Sequence, residues 1–482
     1  MHCQRYSDIR HLGRREWLAR TSLGMGGVAL SSLLGGGAEA NAAGTAGMPG
    51  MPHFAPKAKR VIFLFMSGGM SQFESFDHKP ELVARSRQPL PDSVFKGRKP
   101  LGMSKLQGTF PMIGSAFPFK QHGQSGAWFS DRFPFLVKQA DRMCFLKGMV
   151  SEAVNHDPAM IFMNSGEQLP GRPSMGSWIS YGLGSENENL PSFIVLVTKK
   201  VADQPLSTRL WDNGFLPSQH QGVPFRAGRD PVLFLSNPEG LPTSLHRKML
   251  DRLREVQQDE LARRGEAEIA ARIEQCEMAF RMQASVPKVT SLESETAATL
   301  ERYGPDVHTP DSFAHNCVQA RRLCENGVRF VQLYHPGWDH HGVLQKQYSA
   351  NAKEVDQASA ALLEDLHERG LLKDTLVVFG SEFGRTCYSQ GHVNKDGEYG
   401  REHHRDAFTY WMAGAGVKPG FTYGGTDDFG FDVVEGKVAV NDLHATMLHL
   451  LGIDHERFTY RFQGRDFRLT DVAGHLVKPI LA

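Results

Sequence analysis

The sequence predicts an α/β protein built on a mostly parallel sheet, and three observations predict it. Val61–Met66 and Thr375–Phe379 are unbroken apolar runs, as strands covered on both faces should be. Strand-like and helix-like stretches alternate from Val328 to Phe379, the rhythm of right-handed crossovers between parallel strands. Acids and histidines arrive in bursts directly after or beside apolar runs: Asp339-His340-His341, Glu382, then His403-His404 with Asp406. That is how an α/β enzyme brings ligating side chains to one edge of its sheet.

Taken in order, residues 1–40 read as an export signal. Arg14-Arg15 precedes Trp17-Leu18, a short Gly-rich apolar stretch from Thr21 to Leu34, and the small-residue site Ala38-Glu39-Ala40. A basic segment, a short apolar segment and a cleavage site in that order mark a secretory leader, and the adjacent arginines point to the twin-arginine machinery. The expectation is an exported, periplasmic protein with no transmembrane anchor, because no apolar run reaches the ~18 residues of a spanning helix. Residues 41–56 read as a Gly/Pro linker and 57–482 as one α/β domain with a helical insertion at about 200–310.

With 54 basic and 53 acidic residues the net charge is +1, which argues against nucleic-acid or membrane-surface partners. Six cysteines at irregular spacing give no disulfide framework. Cys317 and Cys324 lie ~10 Å apart along a predicted helix, too far to bridge, and read as core thiols.

Val61–Met66 ends in Ser67-Gly68-Gly69, a Gly-rich turn where such sheets place ligands; Asp77 follows as a further candidate ligand. Asp131–Ala140 reads as helix and Arg142–Met149 as strand. Asn155-His156-Asp157-Pro158 reads as a helix start, with Asp157 as cap and proline at the first helical position. A helix start attracts anions, which makes Asp157 a candidate substrate contact beside Ser67, Gly68 and Gly69 of the first turn, with His156 at the mouth. A helix from Ser174 and a strand over Phe193–Val197 follow. Trp211–Gly222 is an aromatic loop expected to face substrate, and Ser244–Gln283 is helical and charge-rich. Phe313–Cys324 is a helix closed by Asn326-Gly327. Val328–Tyr334 is a strand. Leu344, Tyr348, Ala352, Val355, Ala358, Leu362 and Leu366 mark one helix face that ends at Gly370. Phe408–Ala413 is a third strand and Asp442–Leu451 a short helix.

Carboxylate oxygens with imidazole nitrogens suit a divalent ion: zinc, manganese, calcium or magnesium. Asp339, His340, His341, Glu382, His403, His404 and Asp77 are the candidates. Asp339, His341, Glu382 and one of His403 and His404 form the expected set, with His404 preferred.

The stretches FMSGGMSQFESFDHKPEL, NHDPAMIFMNSG, GWDHHG, VVFGSEFGRT, GREHHRDAFTYWMAGAGVKPGFTYGGTDD and VNDLHATMLHLLGID together resemble the exported, sulfatase-like domain of unknown function 1501 (DUF1501) family, within the alkaline phosphatase superfamily. They run from about Val61 to Asp471. The resemblance implies an α/β/α sandwich, hydrolysis of sulfate or phosphate esters at one or two divalent ions, and a nucleophile near a helix start. This chain departs from that pattern. Ser67-Gly68-Gly69 stands where an Asp is expected, and Glu382-Phe383 where Asp-His is expected. His156 occupies the nucleophile position before Ser165-Gly166, and there is no Cys-x-Pro-x-Arg. One ion site is therefore expected rather than two, with His156 as acid/base or nucleophile and Arg385 and Arg405 holding the anionic group. The expected function is an exported metal-dependent hydrolase of sulfate or phosphate esters on small molecules or polysaccharides. The alternative is a catalytically silent binding protein that keeps the fold and a structural ion. A haem protein is disfavoured by the lack of Cys-x-x-Cys-His.

Overall fold

The structure is a computed structural model. It describes residues 47–482 apart from 101, 200–205, 229–230, 234 and 392–397. The export signal and the first residues of the linker lie outside the described residues. The described residues form one compact unit.

At its centre is a nine-stranded sheet. Its strands are β1 (Arg60–Met66), β2 (Met143–Val150), β3 (Phe193–Val197), β4 (Val223–Phe225), β5 (Phe330–His335), β6 (Thr375–Gly380), β9 (Phe408–Ala413), β10 (Phe421–Tyr423) and β11 (Val438–Ala439). Across the sheet the order is β10-β2-β9-β6-β1-β5-β3-β4, with β11 also paired to β2. β7 (Gly384–Ser389) and β8 (Arg401–His404) form a separate antiparallel hairpin.

The sheet is parallel throughout except for β9, which runs antiparallel to both β2 and β6. Phe408–Ala413, expected as a third strand, is that one antiparallel strand, and its direction has a consequence. The start of an antiparallel strand lies at the same edge as the ends of its parallel neighbours. The hairpin that precedes β9 is thereby delivered to the carboxyl edge.

Residues alternate sides along a strand, so β1 feeds two cores. Ile62, Leu64 and Met66 pack on one side with α5 (Phe313–Glu325) and α6 (Leu344–Glu368). Val61, Phe63 and Phe65 pack on the other with α1 (His156–Ser165), α2 (Met175–Leu183) and α7 (Val440–Leu450). This makes a helix–sheet–helix sandwich with the apolar face of α6 buried as its periodicity predicts. α3 (Thr243–Arg264) and α4 (Ala267–Thr290) form the helical insertion, separated by Gly265 in the left-handed conformation.

Three local readings change. Asp131–Ala140 contributes a 3-10 turn over Leu136–Arg142 rather than a long helix. α1 begins at His156, so Asp157 sits in its first turn and Asn155 is the cap residue. The Trp211–Gly222 loop is packed inward, with Trp211 and Leu216 in the second core. Cys144, Cys317, Cys324 and Cys387 are buried free thiols. No described helix is long and apolar enough to cross a membrane.

Candidate metal centre

The ends of β6, β1 and β5 lie side by side, and the loops leaving them build the site. Ser67-Gly68-Gly69 is the middle loop. Gly68 has φ +119°, and a Cβ there would stand 2.7 Å from the backbone nitrogens of both Trp338 and Asp339. Only glycine lets the first loop touch the loop after β5 this closely. His335 closes β5: its Nδ1 accepts from Trp338 Nε1 at 2.9 Å and its Nε2 lies 2.7 Å from Glu354. That brace fixes the loop carrying Asp339 and His341.

Four side chains from three segments converge: His156 at the start of α1, Asp339 and His341 after β5, and His403 on β8. One ligating atom from each lies within 4.8 Å of all the others. Asp339 is central. His341 Nε2 is 2.7 Å and His403 Nε2 3.3 Å from its Oδ1, and His156 Nε2 is 3.2 Å from its Oδ2. His341 Nε2 and His403 Nε2 are 3.1 Å apart. Donors around a zinc-type ion at 2.0–2.1 Å stand about 3.3 Å from one another, so these spacings fit a ligand shell.

The outer nitrogens show how the rings are oriented. His156 Nδ1 meets Glu382 Oε1 at 2.6 Å, His403 Nδ1 donates to the Val154 carbonyl at 2.7 Å, and His341 Nδ1 donates to Gln390 Oε1. Each imidazole is pinned through Nδ1 by an acceptor, which fixes the tautomer with a lone pair on Nε2. With His156 neutral, three lone pairs and a carboxylate thus face one another. His156 Nε2 is buried with no partner aligned for a hydrogen bond. Such a cluster repels itself unless a proton or a cation lies within it, and in that respect the residues fit a divalent ion.

The electrostatics agree. Burial would lower His156, but hydrogen bonds and charge from Asp339 and Glu382 outweigh it and raise the ring to about 9. Burial would raise Asp339, but His156, His341, His403 and Arg385 hold it far below the usual carboxylate range. His403 is pushed down to about 4, first by burial, so it is neutral at pH 7. Burial raises Glu382, yet His156 and Ser381 bring it below its ordinary value. The cluster's side chains are 11–25% exposed, so the site opens to solvent.

Several predicted residues are placed elsewhere. Glu382 is fully buried and stands behind His156, accepting also from the Gly68 amide at 3.0 Å and the Ser381 hydroxyl at 2.9 Å. It holds a ligand rather than joining the shell. His404, next to His403 on a strand, points the opposite way and meets the Phe431 carbonyl at 2.6 Å. His340 turns to Asn351 at 3.4 Å. Asp77 is buried with Lys79 (3.5 Å), Lys147 (3.8 Å) and Thr426 (3.0 Å). His156, expected as acid/base or nucleophile, has a carboxylate at each ring nitrogen and belongs to the cluster.

Arg385 is not available to hold a substrate anion. It is buried and donates to the carbonyls of Gly69 (2.7 Å), Gly68 and Arg401 (3.0 Å), and to Asp339 at 2.5 Å. It is a clamp that ties the first loop, β8 and Asp339 together. Arg405 is half-exposed and donates to the Glu152 carbonyl. Asp157 pairs with Arg209 at 3.7 Å. The Ser67 hydroxyl points at the Met160 sulfur, 3.1 Å away. Phe383 stacks near His403 and His156, with ring centres 4.6 and 5.1 Å away, and walls the site with hydrocarbon where a second imidazole was expected. Gln390 and the Val154 carbonyl were missed. No residue pattern announces them, because their role depends on where a loop backbone passes.

Solved structures align with this chain only at low identity and low TM-score. The lipoteichoic acid synthase LtaP from Listeria monocytogenes aligns at 9% identity, over 93% of this chain and 81% of its own, with a TM-score of 0.35. The PsFucS1 sulfatase from Pseudoalteromonas sp. aligns at 11% identity, over 89% and 73%, with a TM-score of 0.36. A variant of TAB5 alkaline phosphatase aligns at 11%, over 83% and 99%, with a TM-score of 0.34. At such identities and scores the likeness says nothing of activity. No curated protein matches the sequence. Residues 58–481, nearly the whole described chain, match the family described as protein of unknown function (DUF1501), and the chain belongs to that family.

Proposed function

We propose that this chain is an exported, divalent-metal-dependent hydrolase of sulfate or phosphate esters carried on a small molecule or a polysaccharide. One observation supports the reading above the others. Three imidazoles, each held through Nδ1 by Glu382, Val154 or Gln390, turn Nε2 toward the Asp339 carboxylate in a site open to solvent. Four protein ligands are also what structural sites use, so it is the exposure of this one that leaves room for water or substrate as a further ligand. His156, Asp339, His341 and His403 would hold the ion. When bound, such an ion supplies an activated water at neutral pH and polarises an ester oxygen.

The chain's own residues do the rest. Glu382 fixes the His156 ring and lends it negative charge. Arg385 holds Asp339 and the Gly68-Gly69 loop in place. The start of α1 turns its positive end toward the site, and Phe383 keeps one wall dry. The attacking group is water, because the Ser67 hydroxyl is turned toward Met160.

That same missing hydroxyl favours the second reading, a silent binding protein with a structural ion. Metal content of the purified protein, with turnover of aryl sulfates and phosphates, separates the two. Hydrolysis and bound metal, both lost in His403→Ala, are expected. Bound metal with no turnover of any ester selects the silent protein, and no metal under any divalent loading refutes both.

A further inference from the structure

α3 is 22 residues long and none of its side chains is buried. Helices in proteins owe most of their stability to an apolar face that something covers. α3 lies along α4, joined by Arg247 and Glu277 at 2.7 Å, and leaves another face open. Leu245, Met249, Leu253 and Val256 are 48, 54, 42 and 61% exposed. At about 100° per residue they fall within one sector of about 80°, which makes a continuous apolar stripe rather than scattered surface residues.

The charges beside the stripe are ordered. On one flank, at helical spacing, stand Lys248 and Arg252, then Glu255 and Asp259. Arg252 reaches Glu255 of its own helix at 2.7 Å. Lys248 and Asp259 make no ion pair among the described residues. A flank that is basic in its first half and acidic in its second is complementary to itself when reversed. In antiparallel helix pairs like flanks meet, so a copy turned about a two-fold axis near Leu253 and Val256 sets Lys248 and Arg252 beside Glu255 and Asp259 of its mate. Isologous contacts of this kind close into dimers.

We propose that α3 is a self-association surface, joining two copies of this chain antiparallel about Leu253 and Val256, with Leu245 and Met249 of each copy lying over Ala262 and Gln258 of the other. Two helix faces about 33 Å long bury on the order of 1,000 Å², the low end for a specific contact, so the dimer is reversible. The interface is independent of the metal centre.

Sedimentation velocity of the full chain from about 1 to about 100 µM, the span of a weak contact, tests it. The wild type should approach twice the monomer mass with rising concentration. Leu253→Glu should weaken dimerisation at least about tenfold, as central apolar contacts do. Lys248→Glu with Arg252→Glu makes the flank uniformly acidic and should leave a monomer. Adding Glu255→Lys and Asp259→Lys reverses the whole pattern and should restore the dimer. All these sites are exposed, and an unchanged melting temperature confirms folding. A wild type monomeric at 100 µM, a dimer that survives Leu253→Glu, or a fourfold variant that stays monomeric overturns the proposal.

Discussion

Glu382→Gln isolates what the carboxylate behind His156 contributes. Glutamine keeps the shape and a carbonyl to accept from the Gly68 amide and the Ser381 hydroxyl, but it removes the charge 2.6 Å from His156 Nδ1. Two effects then oppose each other. Losing the outer partner of a ligating imidazole weakens metal affinity by about 10–100-fold, or roughly 1.4–2.7 kcal/mol. At the same time His156 loses one of the two carboxylates that hold it at about 9 against burial, so a proton competes less with the ion. In the wild type that competition costs roughly 2.7 kcal/mol at pH 7, two decades below 9, and vanishes above it. The variant's deficit is therefore partly masked at pH 7 and fully expressed at pH 9. Zinc affinity measured by competition with a chromophoric chelator reads this directly. Wild-type affinity should rise about 100-fold between pH 7 and 9, and the variant should follow a flatter curve that lies below it at pH 9. A wild-type affinity independent of pH, or a deficit as large at pH 7 as at pH 9, refutes the reasoning. The metal-free protein gives an independent sign. The folded pKa of His156 lies above its unfolded value, so its stabilising contribution is complete below about pH 6.5 and lost as pH rises through 9. The melting temperature of the metal-free form should fall across that window.

Three further outcomes follow from particular contacts. His404→Gln should lower stability by about 1–3 kcal/mol through the bond to Phe431 and leave metal content unchanged, whereas His403→Gln should lose the ion; metal analysis beside thermal melts tells them apart. Gly68→Ala, with φ +119° and a Cβ driven into the Trp338 and Asp339 backbone, should cost more than the ~1–3 kcal/mol of backbone strain alone and shift Asp339, seen as lost metal in whatever protein folds. His444 is buried, donates to the Met163 carbonyl at 2.8 Å, and is pushed down to about 4, first by burial. Its folded pKa is below the unfolded one, so stability is full above about pH 6.5 and falls by roughly 3 kcal/mol toward pH 4; His444→Gln should flatten that part of the denaturation profile.

The parts of this molecule that were legible in the sequence are those set by periodicity. The runs at Val61–Met66 and Thr375–Phe379 are central parallel strands because only strands covered on both faces are apolar throughout. The Leu344–Leu366 spacing marks the buried face of α6. Asp339 and His341 were legible because they follow a strand directly. What was not legible depends on direction and on side. Nothing in Phe408–Ala413 declares that β9 runs antiparallel, since a buried strand reads the same either way. Neighbours on a strand point to opposite faces, so one of His403 and His404 had to face away. The choice between them needed the pairing of His403 with Arg385 and of His404 with Gly384 across the hairpin. His156 was placed correctly at a helix start, but its role depends on two carboxylates that come from loops after β5 and β6, 183 and 226 residues further along the chain.

The charge count of the site bears on what it can bind. Asp339 and Glu382 bring two negative charges, Arg385 one positive and His156, held at about 9, a second positive at neutral pH, so the metal-free cluster has no net charge there and turns negative only above that value. Arg385 offers nothing outward, because its guanidinium is spent on Gly68, Gly69, Arg401 and Asp339. An anionic ester approaching that cluster meets no net attraction at neutral pH beyond the start of α1, and repulsion above about pH 9. A divalent ion makes the site positive and supplies the attraction that a free arginine would otherwise give. Anion binding and metal binding are thus one event here, unlike a site where arginines recruit the anion first. An uncleavable sulfate or phosphate analogue should therefore bind only the metal-loaded protein.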